Sequence, residues 1–224
     1  MDVKSRYLGV KKSKTFGRIL KRFNLGQSKV LDIGCGHGEY LVNFGQGSLG
    51  LSSTLSEVEY GRSHNLLMVA GNAEMIDNVI NREEKFDCLW ANNLFEHLLS
   101  PHAFLIKLRK FTAGNSRLII GVPVLPRCLF LMRFKKFQGV LASNHINFFN
   151  TTTLALTVKR AGWIIEEERP FLFQSKFFDR LAKYFTPHIF IICHKDLNFS
   201  YPTKKISEWE DQTYYQDLIS MSKN

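Results

Sequence analysis

Cysteine is scarce in this 224-residue chain, and the four present, Cys35, Cys88, Cys128 and Cys193, form no C-x-x-C pair. That spacing argues against a zinc site and against a disulfide framework. Cys35, Cys88 and Cys193 fall within or beside apolar runs and are expected as buried free thiols. No run of about 18 or more apolar residues occurs, so no membrane-spanning helix is expected. The opening Met-Asp-Val-Lys-Ser-Arg leads into charged sequence rather than an apolar signal core, which points to a cytoplasmic protein. Acidic residues are outnumbered, 20 against 30 Lys and Arg, for a formal charge of +10. Such a balance favours anionic partners: nucleic acid, phosphorylated or nucleotide-linked intermediates, or an acidic membrane face met peripherally. The basic residues concentrate between Lys4 and Arg22 and again at Arg127, Arg133, Lys135 and Lys136. A solvated helix face is the alternative reading of each run.

Two phosphate-binding fingerprints are also missing. The stretch Val-Leu-Asp-Ile-Gly-Cys-Gly-His-Gly-Glu-Tyr-Leu, residues 30–41, has Gly34, Gly36 and Gly38, but the third glycine of a G-x-G-x-x-G pattern would fall on Glu39. No G-x-x-x-x-G-K-[ST] loop is present. What stands there is a buried-strand run, a tight glycine turn, and an apolar start at Tyr40 and Leu41 that predicts a helix over 40–44. Glycines suit a turn whose backbone a Cβ would forbid and a ligand that lies against the main chain.

The rest of the chain reads as alternating strands and helices, enough for one α/β domain with a cap. Phe16, Ile19, Leu20 and Phe23 recur at helical spacing, so residues 1–27 are expected as a basic amphipathic helix. Strands are expected at 30–33, 48–51, 66–70, 86–92, 117–122, 163–167 and 187–193. Ser100-Pro101 opens a helix ended by Gly114-Asn115, and Gly162 stops another that begins near Leu154. Residues 123–144 mix apolar and basic side chains between prolines and fit no core element. They are expected as a lid over the pocket, with docking on a membrane surface as the alternative. Residues 197–224 show little periodicity and are expected as a tail.

The G-x-G-x-G turn after Val-Leu-Asp resembles the first motif of the class I S-adenosylmethionine (SAM) dependent methyltransferases. Phe86-Asp87 at the start of the fourth strand, Glu96-His97 just past its end and Pro101 four residues later resemble a branch of them. That branch includes the ubiquinone-biosynthesis and the sugar, lipid and antibiotic O-methyltransferases. Further on, His145, the aromatic stretch to Phe149, a polar cap and a helix ending in Ala161-Gly162-Trp163 match the same pattern. The resemblance covers about residues 28–196, the expected SAM-dependent methyltransferase domain, and implies a Rossmann-like, mostly parallel seven-stranded sheet flanked by helices. It implies that Asp32, Gly34, Cys35, Gly36, Gly38, Ser52, Asn72, Ala73 and Asn92 meet the cofactor SAM, with Asn72 reading the adenine edge. It also implies that the N-terminal helix lies over the pocket, within reach of Tyr7 or Arg18.

Where the family carries an acid for the ribose hydroxyls, this chain has Ser52; Glu57, one turn into the next helix, reads first as a helix-surface glutamate, with substitution for that acid as the alternative. A hydroxyl acceptor needs its proton removed, and His97 and His145 are the candidate bases. The ubiquinone-type enzymes bind a divalent metal through Glu-x-x-Glu-His. Here the first position is Asn93, a weaker ligand, so no metal is expected and Glu96 and His97 are only weak candidates. The expected acceptor is a small molecule or a sugar- or lipid-linked intermediate, methylated at oxygen. Two alternatives stay open: a methyltransferase fold that no longer catalyses and serves as a binding or scaffold subunit, favoured by Ser52, and an RNA-modifying enzyme, favoured by the basic charge. Base N-methylation is disfavoured because Asn92-Asn93-Leu94-Phe95 lacks paired prolines, and pyrimidine carbon methylation because Cys88 lies inside a strand.

Overall fold

A computed structural model describes residues 2–81, 83–209 and 212–223. Met1 of the N-terminal segment, Arg82, and Glu210, Asp211 and Asn224 of the expected tail lie outside the described residues. The strands are β1 (Val30–Ile33), β2 (Leu49–Ser52), β3 (Met68–Ala70), β4 (Phe86–Asn92), β5 (Thr112–Pro123), β6 (Trp163–Arg169) and β7 (His188–Lys195). They form one seven-stranded sheet in the order β3-β2-β1-β4-β5-β7-β6. Neighbours are parallel except where β7 pairs antiparallel with β5 and with β6. This is the expected Rossmann-like α/β sheet.

The helices are α1 (Val3–Lys12), α2 (Lys14–Arg22), α3 (Leu55–Ser63), α4 (Ile76–Val79), α5 (Pro101–Leu108), α6 (Lys135–Gln138), α7 (Thr151–Arg160), α8 (Lys176–Ala182), α9 (Thr203–Glu208) and α10 (Thr213–Lys223). Every residue of β1 is buried, because helices cover both faces of the sheet. Leu31, Ile33, Leu89 and Ala91 point into a core completed by α5 and α7. Val30, Cys88, Trp90 and Ile119 point the other way, onto Phe16 and Ile19 of α2. The apolar stripe read in the N-terminal segment is therefore the cover of one sheet face. No helix among the described residues is long and apolar enough to cross a membrane.

Local chemistry moves several boundaries. The basic N-terminal segment is two helices, because the Ser13 hydroxyl accepts the Phe16 N–H at 3.2 Å and starts α2 afresh. The helix expected over 40–44 is a single 3-10 turn, Leu41–Asn43. Gly45 ends it with its N–H on the Leu25 and Ser28 carbonyls, leaving too few residues for a propagating helix. Gly114 and Asn115 end no helix and lie within β5, which pairs with β4 from Thr112 onward across a register shift. The Ser116 hydroxyl holds that irregularity, accepting from the Ala113 N–H at 2.7 Å and donating to the Phe86 carbonyl at 2.6 Å.

Residues after 197 include α9 and α10, and Tyr201, Leu218 and Ile219 are buried in the main core. Their anchor is Arg109, buried directly after the end of α5. Its guanidinium donates to the carbonyls of Gly162, Asp196 (2.9 Å) and Ser222 (3.3 Å). A buried cation bonded to backbone carbonyls leaves them stranded when it is removed. Arg109→Leu should therefore lower stability by about 3 kcal/mol, read from the urea midpoint. A loss below about 1 kcal/mol would mean that apolar contacts alone hold the C-terminal helices.

Candidate functional site

Strand order reverses between β1 and β4, so the connections leaving their carboxyl ends diverge and a crevice opens. The glycine turn forms one side. The Gly34 and Cys35 N–H groups both donate to the Leu51 carbonyl, at 2.8 and 3.0 Å, tying the turn to the end of β2. Gly34, Gly36 and Gly38 have φ of +75, +57 and +94°, the region that favours glycine. At Gly36 the near neighbours are side chains of the chain itself: a Cβ there would sit 2.7 Å from the Arg6 guanidinium and 2.8 Å from the Glu39 carboxylate. Those two form an ion pair at 2.5 Å. Beside it the Tyr7 hydroxyl donates to the His37 carbonyl at 2.6 Å. Helix α1 thus straps the turn from outside, and the open volume lies on the Gly34 side. Arg18 points elsewhere, to the Phe171 carbonyl at 3.0 Å.

That volume, about 260 Å³, is lined by Gly34, Leu51, Asn72, Ala73, Leu94 and His97, among others. Asn72 does two things at once: its side chain accepts the Glu74 N–H at 2.9 Å and it faces the cavity. Glu74, which the sequence reading passed over, closes the far wall by accepting from the Leu99 and Ser100 N–H groups at 3.1 and 2.8 Å. Behind the glycine turn sits Asp32, buried, with Oδ2 unpartnered. Burial raises its pKa well above the ordinary carboxylate range, the neighbouring Glu39 charge adds to this, and the Leu41 N–H opposes it. Cys35 is buried there and its thiol is likewise pushed up by burial.

At the end of β2, which carries no acid, Ser52 meets a carboxylate of the next helix. The Ser52 hydroxyl donates to Glu57 Oε2 at 2.5 Å and accepts the Thr54 N–H at 3.2 Å. His37 Nδ1 lies 3.7 Å from Glu57 and 3.8 Å from Glu39. A carboxylate therefore stands beside the end of β2 although β2 itself carries none.

The loop after β4 gathers the two histidines. His97 Nδ1–H donates to the Asn144 carbonyl and His145 Nδ1–H to the Val140 carbonyl, each at 3.0 Å. Carbonyls only accept, so both Nε2 atoms are left as lone-pair acceptors when the rings are neutral. The rings meet edge-on at 4.9 Å. Glu96 is buried next to them with Oε2 unpartnered, and burial raises its pKa. One ligand atom from each of Glu96, His97 and His145 lies within 4.8 Å of the others. Asn147, unremarked in the sequence, fastens this arrangement: its side-chain amide donates to the Phe95 and Leu98 carbonyls, and the Ile146 and Asn147 N–H groups both donate to Glu96 O.

A second cavity of about 330 Å³ lies across β4, lined by Tyr40, Asn92, Asn93, His188 and Phe190, with Thr15 and Lys136 at its edges. Asn92 Nδ2 donates to the Tyr40 hydroxyl at 3.1 Å, and its Oδ1 is unpartnered. His188 Nε2 donates to Asn93 Oδ1 at 3.0 Å, and desolvation pushes its pKa down to about 4, so it is neutral at neutral pH. His188 hides in the sequence at the head of an apolar strand, with no motif around it. The residues expected at the cofactor thus divide: Gly34, Asn72 and Ala73 face the first cavity and Asn92 the second. Asp32, Cys35, Gly36, Gly38 and Ser52 form the turn and the strand ends between and behind them. Of the expected bases, His97 borders the first cavity and His145 packs against it.

The profile of a family described as a methyltransferase domain matches residues 7–168. No curated protein matches the chain. Among solved structures, a chain of the complex between the Haloferax volcanii Trm112 methyltransferase activator and a methyltransferase is 15% identical with a TM-score of 0.64, covering 85% of this chain and 94% of that one. A SAM-dependent methyltransferase from Clostridium acetobutylicum is 12% identical, with a TM-score of 0.61 and coverage of 87% and 92%. A TehB-like SAM-dependent methyltransferase from Corynebacterium glutamicum is 17% identical, with a TM-score of 0.56 and coverage of 86% and 95%. At such identities the likeness is one of fold.

Gly36→Val tests the strap. The substitution forces a branched side chain into a left-handed backbone and against the Arg6–Glu39 pair. It should cost about 2 kcal/mol of stability and speed amide exchange in α1. Unchanged exchange in α1 would show that the helix is held by contacts other than this pair.

Proposed function

The chain belongs to the methyltransferase-domain family, and from that premise we propose that it transfers a methyl group from SAM to oxygen on a small-molecule, sugar-linked or lipid-linked acceptor. The observation that carries the donor is the pair of unpartnered buried acceptors near the carboxyl edge, Asp32 Oδ2 and Asn92 Oδ1. Left alone they cost several kcal/mol in total, roughly 1–3 each. An ammonium group such as the donor carries would satisfy them. Asn72, with Leu94 and Leu98 lining the same cavity, suits an adenine edge and its faces. Glu57, held by Ser52, takes the ribose hydroxyls.

When bound, the sulfonium donor supplies an electrophilic methyl carbon for in-line displacement by the acceptor. The protein's share is to align the acceptor, exclude water and take a proton. His97 takes it at Nε2, because its Nδ1–H is committed to the Asn144 carbonyl and Nε2 is the free lone pair. His145 holds the His97 ring in place. For this proton transfer the acceptor hydroxyl lies at the first cavity, which His97 borders, and the rest of the acceptor extends toward the cavity of Asn92, Asn93 and His188, which residues 123–144 help to wall through Lys136; in this reading that segment is the lid.

The convergence of Glu96, His97 and His145 favours a second reading of the same groups, a divalent metal held by two imidazoles and a carboxylate. Backbone carbonyls that fix Nδ1–H and leave Nε2 free are the usual support of metal-bound histidine. One experiment separates the readings: turnover of labelled SAM with phenolic, sugar and lipid acceptors, with and without chelator. If His97 is the base, His97→Ala lowers kcat by about 10²–10⁴, leaves SAM affinity unchanged, and chelator does nothing. Loss on chelation that manganese or zinc restores assigns the triad to a metal instead. Normal turnover of His97→Ala alongside a crippled His188→Ala moves the base to the second cavity.

The ribose assignment is tested by calorimetry. Glu57→Ala should weaken SAM and S-adenosylhomocysteine about tenfold, the value of a charge-assisted hydrogen bond. Adding Ser52→Asp should recover most of the loss. No rescue would remove Glu57 from the site. No heat from either ligand with the parent protein would favour the non-catalytic binding subunit.

A further inference from the structure

Helix α8 is built inside out. Its one acid, Asp179, is 0% exposed, receiving Arg169 Nη1 at 3.1 Å and the Phe173 N–H at 2.9 Å. Its apolar residues face solvent: Phe177 is 66% exposed, Phe178 57% and Leu181 55%. Helices that cover a core do the reverse. Phe173 and Phe178 pack at 6.0 Å and Phe177 and Phe178 at 5.6 Å, so the aromatic rings form a cluster rather than isolated side chains.

A second exposed cluster comes from the segment after β5. Leu129, Phe130 and Phe134 are exposed, with the two rings 6.1 Å apart. The segments meet where the Arg127 N–H donates to the Tyr184 carbonyl at 3.2 Å and its guanidinium lies 5.2 Å over the Tyr184 ring. They also meet at the second cavity, whose walls include Lys136 from one and Leu172 from the other. Between residues 123 and 150 there is no Asp or Glu, and between 170 and 187 only the buried Asp179. The exposed charges of the face are Arg127, Arg133, Lys135, Lys136, Lys176 and Arg180.

We propose that the aromatic and basic face made by α8 and residues 127–136 docks on an anionic lipid bilayer, with the mouth of the second cavity turned toward the membrane. Phenylalanine and leucine that enter the headgroup boundary, ringed by Lys and Arg whose stems follow them while their charges stay at the phosphates, are the pattern of an interfacial anchor. A protein interface depletes lysine at such a place. A second copy of this chain would set this predominantly basic face, where Glu167 pairs with Lys176 at 3.1 Å, against itself. RNA bases stack on rings, but Leu129 and Leu181 have no flat face to offer them. The surface is argued without reference to methyl transfer; only its delivery of a lipid-linked acceptor rests on the function proposed above.

The test is flotation of the full chain with vesicles of phosphatidylcholine alone or mixed with phosphatidylglycerol. The protein should float with the mixed vesicles, less so as salt rises, and hardly at all with phosphatidylcholine alone. Phe177→Ser with Phe178→Ser should weaken partitioning about tenfold or more, with the thermal midpoint and SAM binding unchanged because both rings are solvent-facing. Arg133→Glu with Lys135→Glu should abolish the preference for the anionic lipid. The proposal fails if the parent protein ignores mixed vesicles or if the double serine variant floats like the parent. It also fails if the parent dimerises in sedimentation and that variant does not, or if the variant loses RNA in a filter assay while keeping vesicles. Failure of methyl transfer would leave flotation unchanged, so the two conclusions fall separately.

Discussion

The reversal of strand order beside β1 is the constraint on which the molecule turns. β2 leaves to one side and β4 lies on the other, so the loops at their carboxyl ends cannot cover the same ground. Everything with chemistry gathers at that gap: the glycine turn, Asp32, the Ser52–Glu57 pair, the loop of Glu96 and His97, and the amides of Asn92 and Asn93. The antiparallel β7 then brings His188 to the same edge from the opposite direction, which a purely parallel sheet could not do without another crossover.

Charge tells the same story at closer range. Asp32 and Glu39 are buried within electrostatic reach of each other, and the Arg6 guanidinium from α1 pairs with Glu39. Burial and the Glu39 charge together favour the neutral form of Asp32, so the turn holds a carboxyl group kept protonated beside an ion-paired carboxylate. Around the Glu96 loop, by contrast, the backbone does the orienting. Carbonyls of Val140 and Asn144 fix two imidazoles, and Asn147 ties the loop from behind. The segment returning from residues 123–144 is thus both wall and brace.

Much of this was legible in the sequence, because buried strands announce themselves as short apolar runs and the glycine turn has a spacing that few other structures use. The family profile bears out the reading of a methyltransferase domain. What was not legible has physical reasons. The helix expected after the glycine turn needed more residues than Gly45 allows, and a pattern of Tyr40, Leu41 and Phe44 cannot count turns. Ser13 splits one amphipathic stripe into two helices because a hydroxyl in mid-run can cap as well as continue. Helix α8 escaped notice because its polarity is inverted, and periodicity arguments assume that apolar faces point inward. His188 carried no signal, since a strand residue acquires its neighbours from pairing that only the folded sheet provides. Glu57 reads in the sequence first as a helix-surface glutamate, because the hydroxyl of Ser52 that meets it lies on a different element and only the fold brings the two together.

The break at Ser13 gives the first helix an independence that the second lacks. α2 is nailed to the sheet by Phe16 and Ile19, whereas α1 buries no residue fully and grips the turn through one ion pair and one phenol hydroxyl. α1 also packs Val10 against the aromatic core and Tyr7 near the Tyr60 ring at 6.4 Å, so it is held by apolar as well as polar contacts. The joint thus divides labour: one helix seals a face of the sheet, and the other clamps the outer side of the glycine turn, away from the open volume beside Gly34.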